Sequence, residues 1–321
     1  MPVAPIDDAP SVRRAFLSLV VFSFRRHRQV RQMAWTALGL LALLCVFVAV
    51  LTHGPSGWGL QDRWSLRWNM KVKDFSAVLD QMQMTPSSSD GSAAFMMITA
   101  PFRAMLADQK FLDDWAFLNF SRWVVFTMHL GFLMPLFTLA YASAGIGAER
   151  ESRTLIWLLT RPLPRWAIYL AKFLGGLPWC LGASVGGFAV LCLAGGDLGR
   201  RAFVTYWPAI VAGTIGFSAL FHLIGATLRR PAVVGLVYIF FFETVVANLP
   251  GSLKQLSLNY YTRSMLYNEA EAMLSVARPD ALDVYAPVSS LTAWGAILGA
   301  TLVFTLLGMW LFGRQEPKDE L

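Results

Sequence analysis

The chain has 321 residues, of which 56% are hydrophobic and 15% are charged, and its formal net charge is +7. Soluble domains carry about 25% charged residues, so this composition excludes an ordinary soluble protein and indicates an integral membrane protein. The positive charge does not predict nucleic-acid binding, because Lys and Arg are spread along loop ends without interleaved aromatic residues. Cys45, Cys180 and Cys192 lie in apolar segments without metal-ligand or disulfide spacing, so we expect buried side chains and no metal site.

Six apolar segments reach membrane-spanning length, which is about 20 predominantly apolar residues. We therefore predict an all-α integral membrane protein with six transmembrane helices. Their ranges are 33–52, 123–143, 173–193, 206–227, 232–248 and 291–312. The earlier apolar run at 15–24 is too short to cross a bilayer and ends in basic residues, which predicts an amphipathic helix in the membrane plane. Residues 1–32 would form this N-terminal segment, and residues 33–321 the transmembrane domain.

The distribution of Lys and Arg predicts the orientation of the helices. Basic residues are concentrated before the first span, between spans two and three, between spans four and five, and after the last span. The two shorter loops on the opposite side hold fewer of them. Because basic loops stay in the cytoplasm, we expect both termini to be cytoplasmic.

Two segments are expected outside the cell, and both are predicted to be partly helical. The loop at 53–121 has helical stretches at 74–84 and 92–108. Its tryptophans are Trp58, Trp64, Trp68 and Trp115. They indicate a belt at the membrane interface, and a lid that contacts substrate is the alternative. The second outside segment, at 249–290, is predicted to contain a helix around 264–276.

The cytoplasmic loop at 144–172 is longer and more charged than a connector between two spans requires. As a helix, residues 148–160 would carry Glu149 and Arg153 four residues apart in the favourable order, and Pro162 would end the segment. One face of this helix would be small to apolar: Ala148, Ser152, Leu155 and Leu159. From these residues alone, the helix either lies on the membrane surface or binds a partner.

The stretch GIGAERESRTLIWLLTRPLPRWAIYLAKF resembles the first cytoplasmic loop in the membrane subunits of type-2 ABC exporters. That loop typically has a small residue and Gly, Glu-basic-Glu, Gly-Thr-Leu, a leucine pair, Arg-Pro, and an Arg leading to a Lys. The matching residues are Gly147, Glu149, Arg150, Glu151, Thr154, Leu155, Leu158, Leu159, Arg161, Pro162, Arg165 and Lys172. Arg153 departs from the pattern, since the family usually has Gly there. The six predicted spans, the in-plane helix and the outside helix extend the resemblance over most of the chain.

The resemblance implies a permease subunit that dimerises, with itself or with a related chain, and exports a substrate across the bacterial inner membrane. The loop would be a coupling helix that docks in a cleft of a separate ATP-binding subunit, present in two copies. The partner-binding residues would be Glu149, Arg150, Glu151, Arg153, Thr154, Leu155 and Leu159. The charged ones would pair across the interface, while both leucines would pack into it. Arg229 and Arg230 would make a smaller second contact with the same partner.

The chain contains no GxxxxGK[ST] loop that could cradle nucleotide phosphates. We therefore expect this chain not to be an enzyme, and we expect ATP and Mg²⁺ to be bound by the separate subunit. An integral membrane enzyme is a rival, but Asp113-Asp114 in the outer loop has no ligand partners at suggestive spacing. An ATP-independent transporter or channel is the other rival, and it would predict repeated halves or several buried charges.

Several residues inside the predicted spans have two interpretations each. Glu243, in the fifth span, either lines a transport pathway or is satisfied at the outer rim near Asn248. His129 and His222 are predicted to be packed, hydrogen-bonded contacts between helices. Small residues in the third span predict a face that permits close helix packing: Gly182, Ser184, Gly186 and Gly187.

Overall fold

The computed structural model describes residues 12–27, 32–53, 117, 120–151, 163–246, 252–273 and 287–314. Within those ranges every regular element is helical. The α-helices are α1 (Val12–His27), α2 (Gln32–His53), α3 (Met134–Ala142), α4 (Ala144–Glu151), α5 (Arg165–Ala194), α6 (Gly196–Thr227), α7 (Pro231–Tyr238), α8 (Leu258–Met273) and α9 (Ser290–Arg314). A π-helical segment, Ser121–Leu133, leads into α3, a second one, Ile239–Val245, continues α7, and a short 3-10 helix covers Ser252–Leu256.

Four helices of the described chain are long and apolar enough to cross a membrane: Ser121–Gly147, α5, α6 and α9. Two shorter apolar helices lie at Leu38–Val50 and Pro231–Glu243, and they overlap the predicted first and fifth spans. The prediction of an all-helical membrane protein is therefore confirmed, while the number of six spans and their orientation stay predictions. The predicted outside helices at 74–84 and 92–108 lie outside the described residues.

Two helices begin earlier than the apolar runs predict, each for a local reason. α5 follows Pro164, whose extended backbone (φ −62°, ψ 141°) occupies the N-cap position. α6 begins at Gly196, directly after the turn at Gly195, and the φ of 63° at Gly196 is a left-handed conformation that favours glycine. Lys172 and Arg200 consequently lie on helices, although a hydropathy pattern assigns them to loops.

Helix α6 is the centre of the bundle and packs against α3, α5, α8 and α9. Apolar side chains make most of these contacts, and a hydrogen bond between hydroxyl groups adds to them: Thr214 Oγ1 donates to Ser184 Oγ on α5 at 2.8 Å. Such hydrogen bonds between membrane helices contribute about 0.6–2 kcal/mol each. The predicted small-residue face of α5 is divided: Gly187 lies against Phe137, whereas no described atom outside the helix comes within 4 Å of a side chain built at Gly182 or Gly186.

Candidate functional site

The candidate site is the junction where α1, α4, α5 and α6 meet, next to the predicted coupling segment. α4 continues the long helix that begins at Ser121 past Ser143, and Glu149 lies near the end of α4. The Glu149 carboxylate and the Lys172 ammonium of α5 are both buried, and the Lys172 Nζ donates to Glu149 Oε1. Removing two charges from water has a large cost, which only a close partner of opposite charge offsets. The pair therefore fixes the end of α4 to α5.

Helix α1 is attached to the same part of α5. The Lys172 Nζ lies 5.6 Å from the centre of the Phe22 ring, within range of a cation–π interaction. Trp179 Nε1–H donates to the Phe24 carbonyl at 2.9 Å. At Gly175 the two helices approach so closely that an added Cβ would lie 2.6 Å from Ser23 Cβ. These contacts bind the predicted in-plane helix to α5 rather than to lipid alone.

Helix α6 contributes His222, which lies between the end of α3 and α5. Its Nδ1 is 3.3 Å from the Ala142 carbonyl oxygen, and its Nε2 is 3.3 Å from the Tyr169 carbonyl oxygen. The ring also contacts Tyr169, with 4.6 Å between centroids. His222 is therefore a packed and hydrogen-bonded helix contact, as predicted. A neutral imidazole carries one N–H, so it donates to one of these carbonyls at a time.

His129 differs from the prediction in one respect. Its ring packs against Phe188 with 5.0 Å between centroids, as expected for a helix contact. However, neither ring nitrogen has a hydrogen-bond partner among the residues that the structure describes. His129 is thus a packing residue in the described part of the chain, without the predicted hydrogen bond.

The other predicted partner-binding residues lie around the end of α4. Arg150 and Glu151 belong to α4, although their side-chain positions are not described. Arg153, Thr154, Leu155 and Leu159 lie outside the described residues. Arg229 and Arg230 are exposed in the link between α6 and α7. A Cβ added at Gly147 of α4 would lie 3.1 Å from Pro231 Cγ, so this link and α4 are at the same end of the bundle.

Glu243 forms a second buried site at the start of α8. Its carboxylate is fully buried and accepts hydrogen bonds from Tyr238 Oη at 2.6 Å and from Ser257 Oγ at 2.5 Å. It also accepts from the backbone N–H groups of Asn259 at 3.0 Å and of Leu258 at 3.3 Å. The first N–H groups of a helix have no partner within it, so this carboxylate caps α8 from a neighbouring helix.

This geometry gives Glu243 a structural role. The two predicted interpretations, a residue of a transport pathway or a carboxylate at the outer rim, are not tested by it. The predicted neighbour, Asn248, lies outside the described residues. The partner Tyr238 stands five residues before Glu243. The intervening π-helical segment puts residues at this spacing on one side, which an α-helical pattern does not. Among the described residues, no group of three or more His, Cys, Asp or Glu could hold a metal ion.

Comparison with known proteins gives one match. The family model described as "ABC-2 family transporter protein" matches residues 29–316, which include α4, α5, α6 and the Glu243 site and begin just after α1. No curated protein and no solved structure matches the chain.

Proposed function

Because the chain belongs to the ABC-2 family of transporter proteins, we propose that it is a dimeric permease driven by a separate ATP-binding subunit docked on residues 148–160. As a member of that family it is a membrane component of an ABC transporter. ATP and Mg²⁺ would be bound by the partner subunit, in two copies, and the second permease would be an identical or a related chain. The proposed place of action is the bacterial inner membrane, and the proposed direction is export.

The observation that supports this proposal most directly is the buried pair of Glu149 and Lys172. The proposed docking segment begins at the end of α4, and the pair fixes that end to α5. A force on the segment would therefore act on two long helices together, the one that α4 continues and α5. A surface helix that only rests on lipid would need no buried ion pair behind it.

Two further features support the proposed coupling. First, α1 is held on α5 at Gly175 and Trp179, so it would move with α5 when the docking segment moves. Second, the exposed Arg229 and Arg230 stand in the link that lies against α4, where the same partner would reach them. We propose that Glu149 acts inside the chain through Lys172, while Arg150, Glu151 and Arg153 pair with the partner, and Thr154, Leu155 and Leu159 complete the docking surface.

The proposal is tested by purifying the chain in mild detergent and identifying by mass spectrometry the proteins that remain bound. We expect a stoichiometric ATPase with a phosphate-binding loop. Leu155→Asp should reduce its recovery by about tenfold or more, since buried apolar anchors dominate interfaces. Leu256→Asp is the matched control, because Leu256 is 66% exposed in the 3-10 helix, far along the chain from the docking segment.

Two results would contradict the proposal. A chain that purifies alone, under conditions that preserve other ABC complexes, would favour an ATP-independent transporter or channel. Equal recovery of the ATPase with Leu155→Asp and Leu256→Asp would mean that residues 148–160 do not form the docking site, even if an ATPase is bound.

A further inference from the structure

The start of α5 and the end of α9 line an open pocket, which the proposed coupling does not involve. Its volume is about 510 Å³. Its lining residues are Arg165, Trp166, Leu306, Met309, Trp310, Gly313 and Arg314. The pocket thus combines two guanidinium groups from two helices, two indole rings and an apolar wall.

We propose that this pocket binds the headgroup of an anionic phospholipid. Guanidinium groups bind phosphate through paired N–H donors, and a pocket with one from each of two helices can hold a phosphate between them. The guanidinium carbon of Arg314 lies 4.0 Å from the centre of the Trp310 ring, so that ring supports the charged group. Basic pockets between membrane helices are suited to anionic lipid headgroups.

The surroundings of the pocket favour a lipid over a free anion. Trp166 and Trp310 are each about half exposed at the ends of membrane-spanning helices, where tryptophan side chains lie at headgroup level. One turn deeper on the same face of α9, Leu302 and Val303 are exposed and continue the apolar wall of Leu306. A lipid acyl chain would lie along this wall while its phosphate lies between the arginines.

The volume leads to the same conclusion. A phosphate ion has five heavy atoms, and at no more than about 30 Å³ each, the volume share of a water molecule, it would fill at most about 150 Å³. The pocket is more than three times larger. The remaining space fits a glycerol backbone and the first carbons of the acyl chains.

The test uses the full chain in lipid nanodiscs and dibrominated phospholipids, which quench nearby tryptophan fluorescence. The signal from the pocket is the difference in fluorescence quenching between the natural chain and its Trp166→Phe/Trp310→Phe variant. We expect dibrominated phosphatidylglycerol to reach half-maximal quenching at about a tenfold lower mole fraction than dibrominated phosphatidylcholine with the same chains. Excess inorganic phosphate should leave this preference unchanged relative to chloride at equal ionic strength.

Arginine variants test whether Arg165 and Arg314 cause the preference for phosphatidylglycerol over phosphatidylcholine. Arg165→Gln/Arg314→Gln should abolish it, while Arg165→Lys/Arg314→Lys should retain part of it because the charge is kept and the paired donors are lost. Arg200→Gln is the control, since Arg200 is exposed near the start of α6, at the opposite end of α5. Circular dichroism and gel filtration check that each variant is folded.

Three results would overturn the proposal. Equal quenching by the two lipids would mean a non-selective lipid contact. Loss of the preference with inorganic phosphate alone would mean a site for free anions. A preference that survives Arg165→Gln/Arg314→Gln would place the anionic lipid elsewhere on the chain. None of these results depends on the ATP-binding partner, so the pocket and the proposed coupling are tested separately.

Discussion

The two buried glutamates of the described chain are stabilised in different ways. Glu149 pairs with a buried ammonium group, Lys172 Nζ, on a different helix. Glu243 is matched by four donors, two hydroxyl groups and two backbone N–H groups, three of which come from the start of α8. An ion pair depends on two side chains only, whereas the cap depends on the position of a helix end. The first arrangement suits a junction that transmits force, and the second suits a fixed support.

The largest expected effect is that of Glu243→Ala. The substitution leaves the backbone N–H groups of Leu258 and Asn259 buried without an acceptor, and it opens a cavity. We expect unfolding in detergent to become easier by about 5 kcal/mol, with the first amides of α8 losing protection from hydrogen exchange.

Glu243→Gln distinguishes a structural role of this residue from a role in a transport pathway. The amide keeps the size of the side chain, but its NH₂ group faces groups that are themselves hydrogen-bond donors. If Glu243 has a structural role, the Gln variant should be less stable, and transport should fall only as far as the amount of folded protein falls. Normal stability together with changed transport, or a changed pH dependence of transport, would identify a pathway residue instead.

The next effect is that of Lys172→Met, which leaves the Glu149 carboxylate in apolar surroundings. We expect a loss of about 3 kcal/mol in the free energy of unfolding, since removing one partner of a buried pair is strongly destabilising. Glu149→Gln/Lys172→Met should recover about 2 kcal/mol of this loss. The natural chain, Glu149→Gln, Lys172→Met and the double variant form a double-mutant cycle measured by chemical unfolding. Additive losses in the cycle would mean that the two groups do not interact.

A smaller effect is expected for Gly175→Ala at the contact between α1 and α5. The new Cβ would lie 2.6 Å from Ser23 Cβ and 2.8 Å from the Val20 carbonyl oxygen. Overpacking of this kind costs about 1–3 kcal/mol, and protease cleavage within α1 should become faster. Gly182→Ala on the same helix is the control, because no described atom outside α5 lies within 4 Å of its added Cβ. Equal melting temperatures for both variants would contradict the close contact.

The smallest effect on stability is expected for Arg229→Gln/Arg230→Gln. Both side chains are exposed, so the melting temperature should change little. Recovery of the ATPase should nevertheless fall severalfold if these arginines form the second contact. Unchanged recovery at both low and high salt would remove them from the docking surface.

The sequence predicts the helices well where apolar runs are long, as in α5, α6 and α9, and it also predicts a helix at the short apolar run that α1 contains. The position of α1 in the membrane plane stays a prediction. The residues of one loop also predict the family, which the match over residues 29–316 confirms. The six spans, their orientation and the docking role of residues 148–160 stay predictions.

The partners of the two glutamates could not be predicted, for different physical reasons. Lys172 lies 23 residues after Glu149, and the contact depends on how α4 crosses α5. One feature of the sequence indicates this contact: Lys172 directly precedes the apolar run at 173–193, with no turn residue between them. Tyr238 and Glu243 share a side only because a π-helical segment lies between them, and an α-helical pattern does not predict that segment.

The central claim is that the Glu149–Lys172 pair transmits movement of the docking segment to the membrane helices. We would measure it by pulsed electron paramagnetic resonance on the reconstituted complex, with a spin label at Leu256→Cys in each permease and the natural cysteines replaced. The distance between the labels should change when the ATPase is trapped with ATP and vanadate. We predict that Glu149→Gln/Lys172→Met still binds the ATPase but loses this change. The same change in both proteins would contradict it.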